Sequence, residues 1–291
     1  MESKHPVSRQ KRRKHRDWQK LILWISLTFV SLIFLFPILW MISSSLTPNS
    51  EVIQYPPRWI PSHPTLANYI EVFTTARTVR VGRALFNSAF VSVSTVILTL
   101  LVASLAAYPL ARMEFKGKNA LFIFILIGFM VPAQVTFVSL FLIFNSVGWL
   151  NTYQALILPA GASPFGVFLL RQFFLAIPKD LEDAARIDGC SRLRILFSII
   201  LPLSKPALAT LSIFTFLGSW NSFLWPLIVM TDPKSMTVPV ILAYYVASFQ
   251  SSFKWGTLMA VAVVSSLPAV IIFLIFQKQF VRGIALTGLK G

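Results

Sequence analysis

Charge is scarce in this chain and cysteine nearly absent. Asp, Glu, Lys and Arg make up 12% of the 291 residues, about half the share of a soluble domain. Together with 56% hydrophobic residues and a mean hydropathy of +0.72, that shortage excludes an ordinary water-soluble fold and indicates an integral membrane protein. Cys190 is the single cysteine, so no disulfide can form within the chain and thiol usage says nothing about redox compartment. Within two residues of it only Arg192 carries positive charge, and Cys190 reads as a small loop residue rather than a reactive thiol. A phosphate-binding G-x-x-x-x-G-K-[ST] run is missing too. The nearest glycine cluster, GLKG at 288–291, lacks its spacing, so the chain is expected neither to bind nor to hydrolyse ATP. No catalytic residue, metal site or cofactor is assigned, and the chain is not read as an enzyme.

What is present is a succession of apolar segments. Residues 1–20 form a basic N-terminus with eight Lys or Arg, concentrated in RQKRRKHR at 9–16. The stretch Leu21–Ile42 behind it is long enough to cross roughly 30 Å of hydrocarbon and too long for the apolar core of a signal peptide. Beside such a span the basic run reads as a cytoplasmic anchor at anionic membrane lipid, and not as a nucleic-acid or nuclear-localisation signal. Five more spans follow: Ala84–Leu110, Ala120–Phe144, Thr152–Leu170, Ala207–Met230 and Gly256–Gln277. A Pro-rich loop without periodicity at 43–83, short turns at 111–119 and 145–151, and a polar loop with a weakly apolar middle at 231–255 separate them. The expected fold is all-α, an integral membrane six-helix bundle forming a single domain over 21–291.

Basic residues test this arrangement. The N-terminus, the 111–119 turn, the 171–206 stretch and the 278–291 tail hold 20 Lys and Arg, and the opposite loops hold 6. By the positive-inside rule both termini are cytoplasmic, in a multi-pass protein of a cell membrane. By these boundaries no span interior contains Asp, Glu, Lys, Arg or His. A carrier driven by a proton or sodium gradient needs an ionisable group near the midplane, so self-powered transport is disfavoured.

The most informative stretch is Ile177–Leu208, IPKDLEDAARIDGCSRLRILFSIILPLSKPAL. Asp180 is placed to cap a helix with Asp183 three residues on, and Gly189 to end it in a left-handed turn. Leu181, Ala184, Ala185 and Asp188 fall on one stripe whose alanines admit a close neighbour. Ser191 can cap a second helix with Leu196, Ile199 and Ile200 on its apolar face. The stretch is thus expected to be a helix, turn, helix element on the cytoplasmic side.

The order Asp183-Ala184-Ala185, Asp188-Gly189, Ile199, Leu201-Pro202 resembles the EAA loop of membrane-spanning permeases in type I ABC importers. Asp183 stands where that family usually has Glu, and Glu182 precedes it, so the residues leave open which carboxylate matters. Asn87-Ser88, Ala106-Ala107-Tyr108, Phe115-Lys116-Gly117, Phe165-Gly166, Leu169 to Gln172, Ser219-Trp220-Asn221 and the tail VRGIALTGLKG are similar to carbohydrate-uptake permeases of the maltose type, specifically the shorter permease partner. Ser222 and Pro109 depart from the family pattern, which usually has Asp and Ala there.

That resemblance implies a permease working with a second homologous permease, two cytoplasmic ATPase subunits and an extracytoplasmic solute-binding protein. It implies that Glu182, Asp183, Ala184, Ala185, Asp188 and Gly189 form the ATPase-coupling loop within 177–206, and that Gly288, Lys290 and Gly291 reach the ATPase interface. Candidates for the translocation path are Asn87, Gln134, Gln154, Ser219, Trp220 and Asn221. Amides in a bundle also serve simply to bond neighbouring helices. Aromatic rings and amides around Trp220 and Trp225 suit sugars, and interfacial aromatic belts account for the same tryptophans. A sugar or oligosaccharide is the expected solute, with glycerol phosphodiesters or another polar solute as the alternative. A secondary carrier is opposed by the uncharged spans, and a membrane scaffold would have no use for the EAA spacing.

Overall fold

The computed structural model describes residues 7–56, 58–74, 81–248 and 254–288; among them there are helices and connecting turns and no strand. The chain divides into two units, one of residues 1–71 with 253–263, the other of residues 72–252 with 264–291.

In the first unit, α1 (Val7–Ser45) contains an apolar stretch, Trp18–Ser45, of 28 residues. At 1.5 Å per residue it exceeds the thickness of a bilayer's hydrocarbon core. Beyond it the chain is fastened by side chains. Asn68 donates to the carbonyls of Ser45 and Thr47 at 2.9 and 2.8 Å, and Tyr69 shares a 2.7 Å hydrogen bond with Ser45. Asn49 accepts from the Gly256 N–H at 2.8 Å, and Glu71 takes Thr257 and Lys254. Gly256 is required here, because a Cβ would lie 2.8 Å from the Thr47 carbonyl oxygen. The expected loop at 43–83 therefore holds a helix, α2 (Ala67–Thr74). Eight residues are too few to stand alone or to display a period, and it is these distant hydrogen bonds that hold it.

The second unit is built on α3 (Val81–Arg112). Ala84, Ser88, Ser92, Thr95, Thr99, Ala103 and Ala107 are all buried and recur every three or four residues. Such a small-residue stripe lets neighbouring backbones approach, which is how helices associate where apolar burial alone gives no preference. Against α3 pack α6 (Tyr153–Gly161), α7 (Pro164–Leu175) and α11 (Lys205–Trp220). Their shared core includes Tyr108, Leu170, Phe174, Ile195, Leu196, Ile200 and Leu211.

Three expected spans are not straight. The segment Ala120–Phe144 is two helices, α4 (Lys118–Met130) and α5 (Ala133–Ser146), bent by 93°. Thr152–Leu170 is likewise split into α6 and α7 with a 42° bend. A proline forces the residue before it out of the helical region: Val131 ahead of Pro132 has ψ 120°, and Ser163 ahead of Pro164 has ψ 99°. Ala207–Met230 is interrupted at 221–223, between α11 and α12 (Leu224–Val229). Among the described residues three helices are long and apolar enough to cross a membrane, and up to six spans result if α4 with α5, α6 with α7, and Arg192–Leu203 with α11 each count as one. The expected polar loop at 231–255 contains α13 (Val238–Ser248), which buries Val238, Val240 and Ile241. The last helix, α14, runs from Trp255 to Gly288.

Candidate functional site

The 177–206 stretch folds as α8 (Asp180–Ile187), α9 (Arg192–Ile195), a widened π turn over Leu196–Ile200, and α10 (Leu201–Leu203). A bend of 82° then separates Arg192–Leu203 from α11. Asp180 is not the cap it was expected to be. Lys179 occupies that position with helical φ/ψ and no side-chain bond, so Asp180 is the first helical residue. There its charge, with those of Glu182 and Asp183, opposes the positive end of the helix dipole.

At the other end the expectation and the geometry agree. Gly189 has φ 79°, its N–H bonds the Arg186 carbonyl at 3.0 Å, and the Cys190 N–H bonds the Ala185 carbonyl at 2.9 Å. These crossed bonds are a Schellman motif, which needs a left-handed residue at Gly189. Two residues later the Ser191 side chain accepts from the Arg194 N–H and starts α9.

The faces of α8 divide differently from the sequence stripe. Glu182 and Ala185 point inward, and Leu181, Asp183, Ala184, Arg186, Ile187 and Asp188 are exposed. Arg112, at the end of α3, places Nε 2.9 Å from Glu182 Oε1, and their side chains are 2% and 5% exposed. The N–H is not aligned for a hydrogen bond, so this is a charge contact. Tyr108, one turn earlier on α3, donates its hydroxyl to Glu182 Oε2 at 3.2 Å. Arg112 also donates to the carbonyl of Ile177, the residue that leads into α8. Asp183 faces away and pairs loosely with Arg186 at 3.5 Å. On the exposed face Ile187 is 88% accessible, an apolar tip on a charged helix.

A cavity of about 440 Å³ lies between α3, α5, α6, α7, α11 and α12. Its polar lining is hydroxylic, with Thr95, Thr136, Ser163, Thr215, Ser219 and Thr237, and it is interleaved with aromatic rings such as Phe137 and Trp225. Among the described residues no charged one lines it. Thr95 and Thr237 are buried with hydroxyls that have no hydrogen-bond partner among the described residues. Each interruption in the bent spans contributes to the wall: Ala133 after the first, Ser163 at the second and Ser222 at the third.

Of the six residues expected along a path, only Ser219 lines this cavity. Asn87 is buried and fully engaged, donating to the carbonyls of Lys234 and Met236 and accepting from the Tyr153 hydroxyl. Trp220 is buried and donates its ring N–H to the Ser265 carbonyl at 3.1 Å. Gln134, Gln154 and Asn221 are exposed and outside the lining. The threonines were missed because hydroxyls at helical spacing in a span read equally as helix-packing residues. In the tail, Gly288 ends α14, and Lys290 and Gly291 lie outside the described residues.

Comparison with known proteins gives one answer at three levels. Residues 99–286 match the model of the family described as binding-protein-dependent transport system inner membrane component. The arabinooligosaccharide transport permease AraQ of Halalkalibacterium halodurans is 39% identical, with 93% of this chain and 96% of that protein covered. The trehalose/maltose transport permease MalG of Thermococcus litoralis is 37% identical, with 94% and 98% covered. A solved bacterial ABC transporter involved in importing the acidic polysaccharide alginate shares the fold, with a TM-score of 0.78, 22% identity, and 96% of this chain and 99% of that one covered. This chain is similar to those two permeases over nearly its whole length and carries several apolar helices: it belongs to the inner membrane component family of binding-protein-dependent transport systems and is a multi-pass membrane protein.

Proposed function

We propose that the chain is a permease subunit of an ATP-driven importer that takes a neutral sugar or oligosaccharide from an extracytoplasmic binding protein. It works beside a second, homologous permease and on two ATPase subunits that supply the hydrolysis. Both termini are cytoplasmic, and the 278–291 tail meets the ATPases. The observation that carries this reading is α8. It presents an exposed face of Leu181, Asp183, Ala184, Ile187 and Asp188 to a partner, and its inner face is locked onto α3. A short helix engaged by a moving ATPase has to be rigid on one side and free on the other.

The lining of the cavity favours a neutral solute. Glycerol phosphodiesters or an acidic polysaccharide would call for Arg or Lys to replace lost hydration, and among the described residues no charged one lines this wall. Hydroxyls and ring faces suit the alternating O–H and C–H surfaces of a sugar.

The test is to purify a tagged copy from its own membranes, identify the co-purifying permease, ATPase and binding protein, and reconstitute them in proteoliposomes. ATP-dependent uptake of a labelled neutral oligosaccharide is expected. Uptake driven by a proton or sodium gradient without ATP, or uptake confined to an anionic solute, would overturn the reading.

A further inference from the structure

The buried carboxylate of Glu182 needs an explanation of its own. Taking Glu182 and Arg112 out of water costs several kcal/mol per ion before their attraction repays it, and apolar residues of similar size often hold a protein together as well or better. Burial of this pair is therefore weak evidence for stability and stronger evidence for fixed geometry. Its geometry is specific. Tyr108 and Arg112 are one turn apart on α3, and both close on the first turn of α8, at Glu182. The same guanidinium holds the carbonyl of Ile177 at the entry to α8. One turn further along α8, Ala185 joins the core that contains Tyr108, Ala111, Phe174 and Ile195. The helix is thus clamped at its entrance and along its inner face to the end of the longest helix of its unit, and its exposed residues take no part in the clamp.

We propose that Glu182, Arg112 and Tyr108 are positioning residues for transport, forming the rigid link through which displacement of α8 reaches α3 and thence the cavity that Val91 and Thr95 of α3 line. This inference rests on the reading of α8 as the element engaged by the ATPase. It divides the two neighbouring carboxylates by role: Asp183 faces the partner, and Glu182 passes its movement on. Force applied to the outer face can reach α3 only if α8 does not roll against it, and the hydrogen bonds from Tyr108 to Glu182 and from Arg112 to the Ile177 carbonyl resist rolling better than apolar contact, which is non-directional.

The experiment uses the reconstituted importer with its ATPase, comparing the parent with Glu182→Gln, Arg112→Met and the double exchange Arg112→Glu with Glu182→Arg. Membrane level, co-purified ATPase, ATP hydrolysis and solute uptake are read on the same preparations. The single variants are expected to retain the ATPase and hydrolyse ATP at the parent rate while uptake per ATP falls about tenfold, the scale of an ordinary coupling free energy. The exchanged pair is expected to recover part of that loss in uptake per ATP, whereas a merely structural role would lower membrane level and leave the ratio of uptake to hydrolysis unchanged. Unchanged uptake per ATP in both single variants, or loss of the ATPase itself, would overturn the link. A second measurement needs no variant of the cluster. In a Cys190→Ser background, spin labels placed at Ile187 on α8 and Leu101 on α3 should keep one separation in nucleotide-free and vanadate-trapped states. A separation that changes between those states would overturn the rigid link even if uptake fell as expected. Absence of ATP-dependent uptake in the parent would instead sink the functional reading on which the link stands.

Discussion

Glu182 and Asp183 are adjacent in sequence and face opposite sides of α8, Glu182 3% exposed against Tyr108 and Arg112, and Asp183 in solvent beside Arg186. Their removal should therefore have opposite consequences. Glu182→Ala leaves Arg112 buried without its counter-charge and should cost on the order of 3–5 kcal/mol. Asp183→Ala loses an exposed pair worth less than about 1 kcal/mol and should leave stability unchanged while weakening ATPase co-purification. Thermal unfolding in detergent, followed alongside pull-down of the ATPase, separates the two. A large drop in stability for Asp183→Ala and none for Glu182→Ala would reverse the assignment of faces.

Gly189 offers a test of conformation with no steric complication. A Cβ there meets nothing within 4 Å, so the only cost of a side chain is its φ of 79°. Asn, which tolerates that region, should transport nearly as the parent does, and Gly189→Val should cost more than the roughly 1 kcal/mol typical of a left-handed residue. The protein should still insert, and uptake should fall more than membrane level. Equal behaviour of the Asn and Val variants would mean that the turn is not what matters at this position.

Gly161 is the reverse case, limited by space. A Cβ would sit 2.3 Å from Leu98 Cδ2 and 2.6 Å from Leu98 Cγ, so Gly161→Ala must turn the Leu98 side chain aside or push α6 away from α3. The cost should be about 1–3 kcal/mol, as for other overpacked sites. Adding Leu98→Ala should restore part of the lost thermal stability. No recovery would place the strain elsewhere.

Thr95 and Thr237 carry the cavity prediction. Because neither hydroxyl has a protein partner, replacing either threonine with the near-isosteric valine removes no internal hydrogen bond and should not destabilise the chain. The hydroxyls are shielded in this structure, and if opening of the cavity turns them to the solute, uptake should fall several-fold with assembly and ATP hydrolysis retained. Parent rates in the double valine variant would remove the cavity from the path.

How far the sequence could be read follows the range of the interactions involved. The turn at Gly189 and the cap at Ser191 are set by neighbours within five residues, and both could be written down from the string of letters. The inward turn of Glu182 depends on Tyr108, 74 positions away, and nothing local distinguishes it from Asp183. Asp180 was misplaced by one residue because a carboxylate suits both the cap and the first turn. The bends were missed by treating apolar length as the whole signal, although Pro132 and Pro164 mark both of the proline breaks. Asn87 looked like a candidate for solute contact, and its amide is instead spent on the carbonyls of Lys234 and Met236. An amide in a span announces that something will be bonded without saying what.

The three helix interruptions that border the cavity carry a consequence for how such a wall changes over evolutionary time. A broken helix leaves carbonyl and N–H groups without their usual partners, and in a membrane these persist only where protein or a water-filled space receives them. Ala133, Ser163 and Ser222 line the wall, so the breaks bring peptide groups as well as side chains up to it. Mutation rewrites side chains and leaves the peptide unit alone. Lineages can therefore exchange the hydroxyls and rings to suit a new solute while a constant hydrophilic floor remains beneath them, and diversification of cargo need not begin by rebuilding the route.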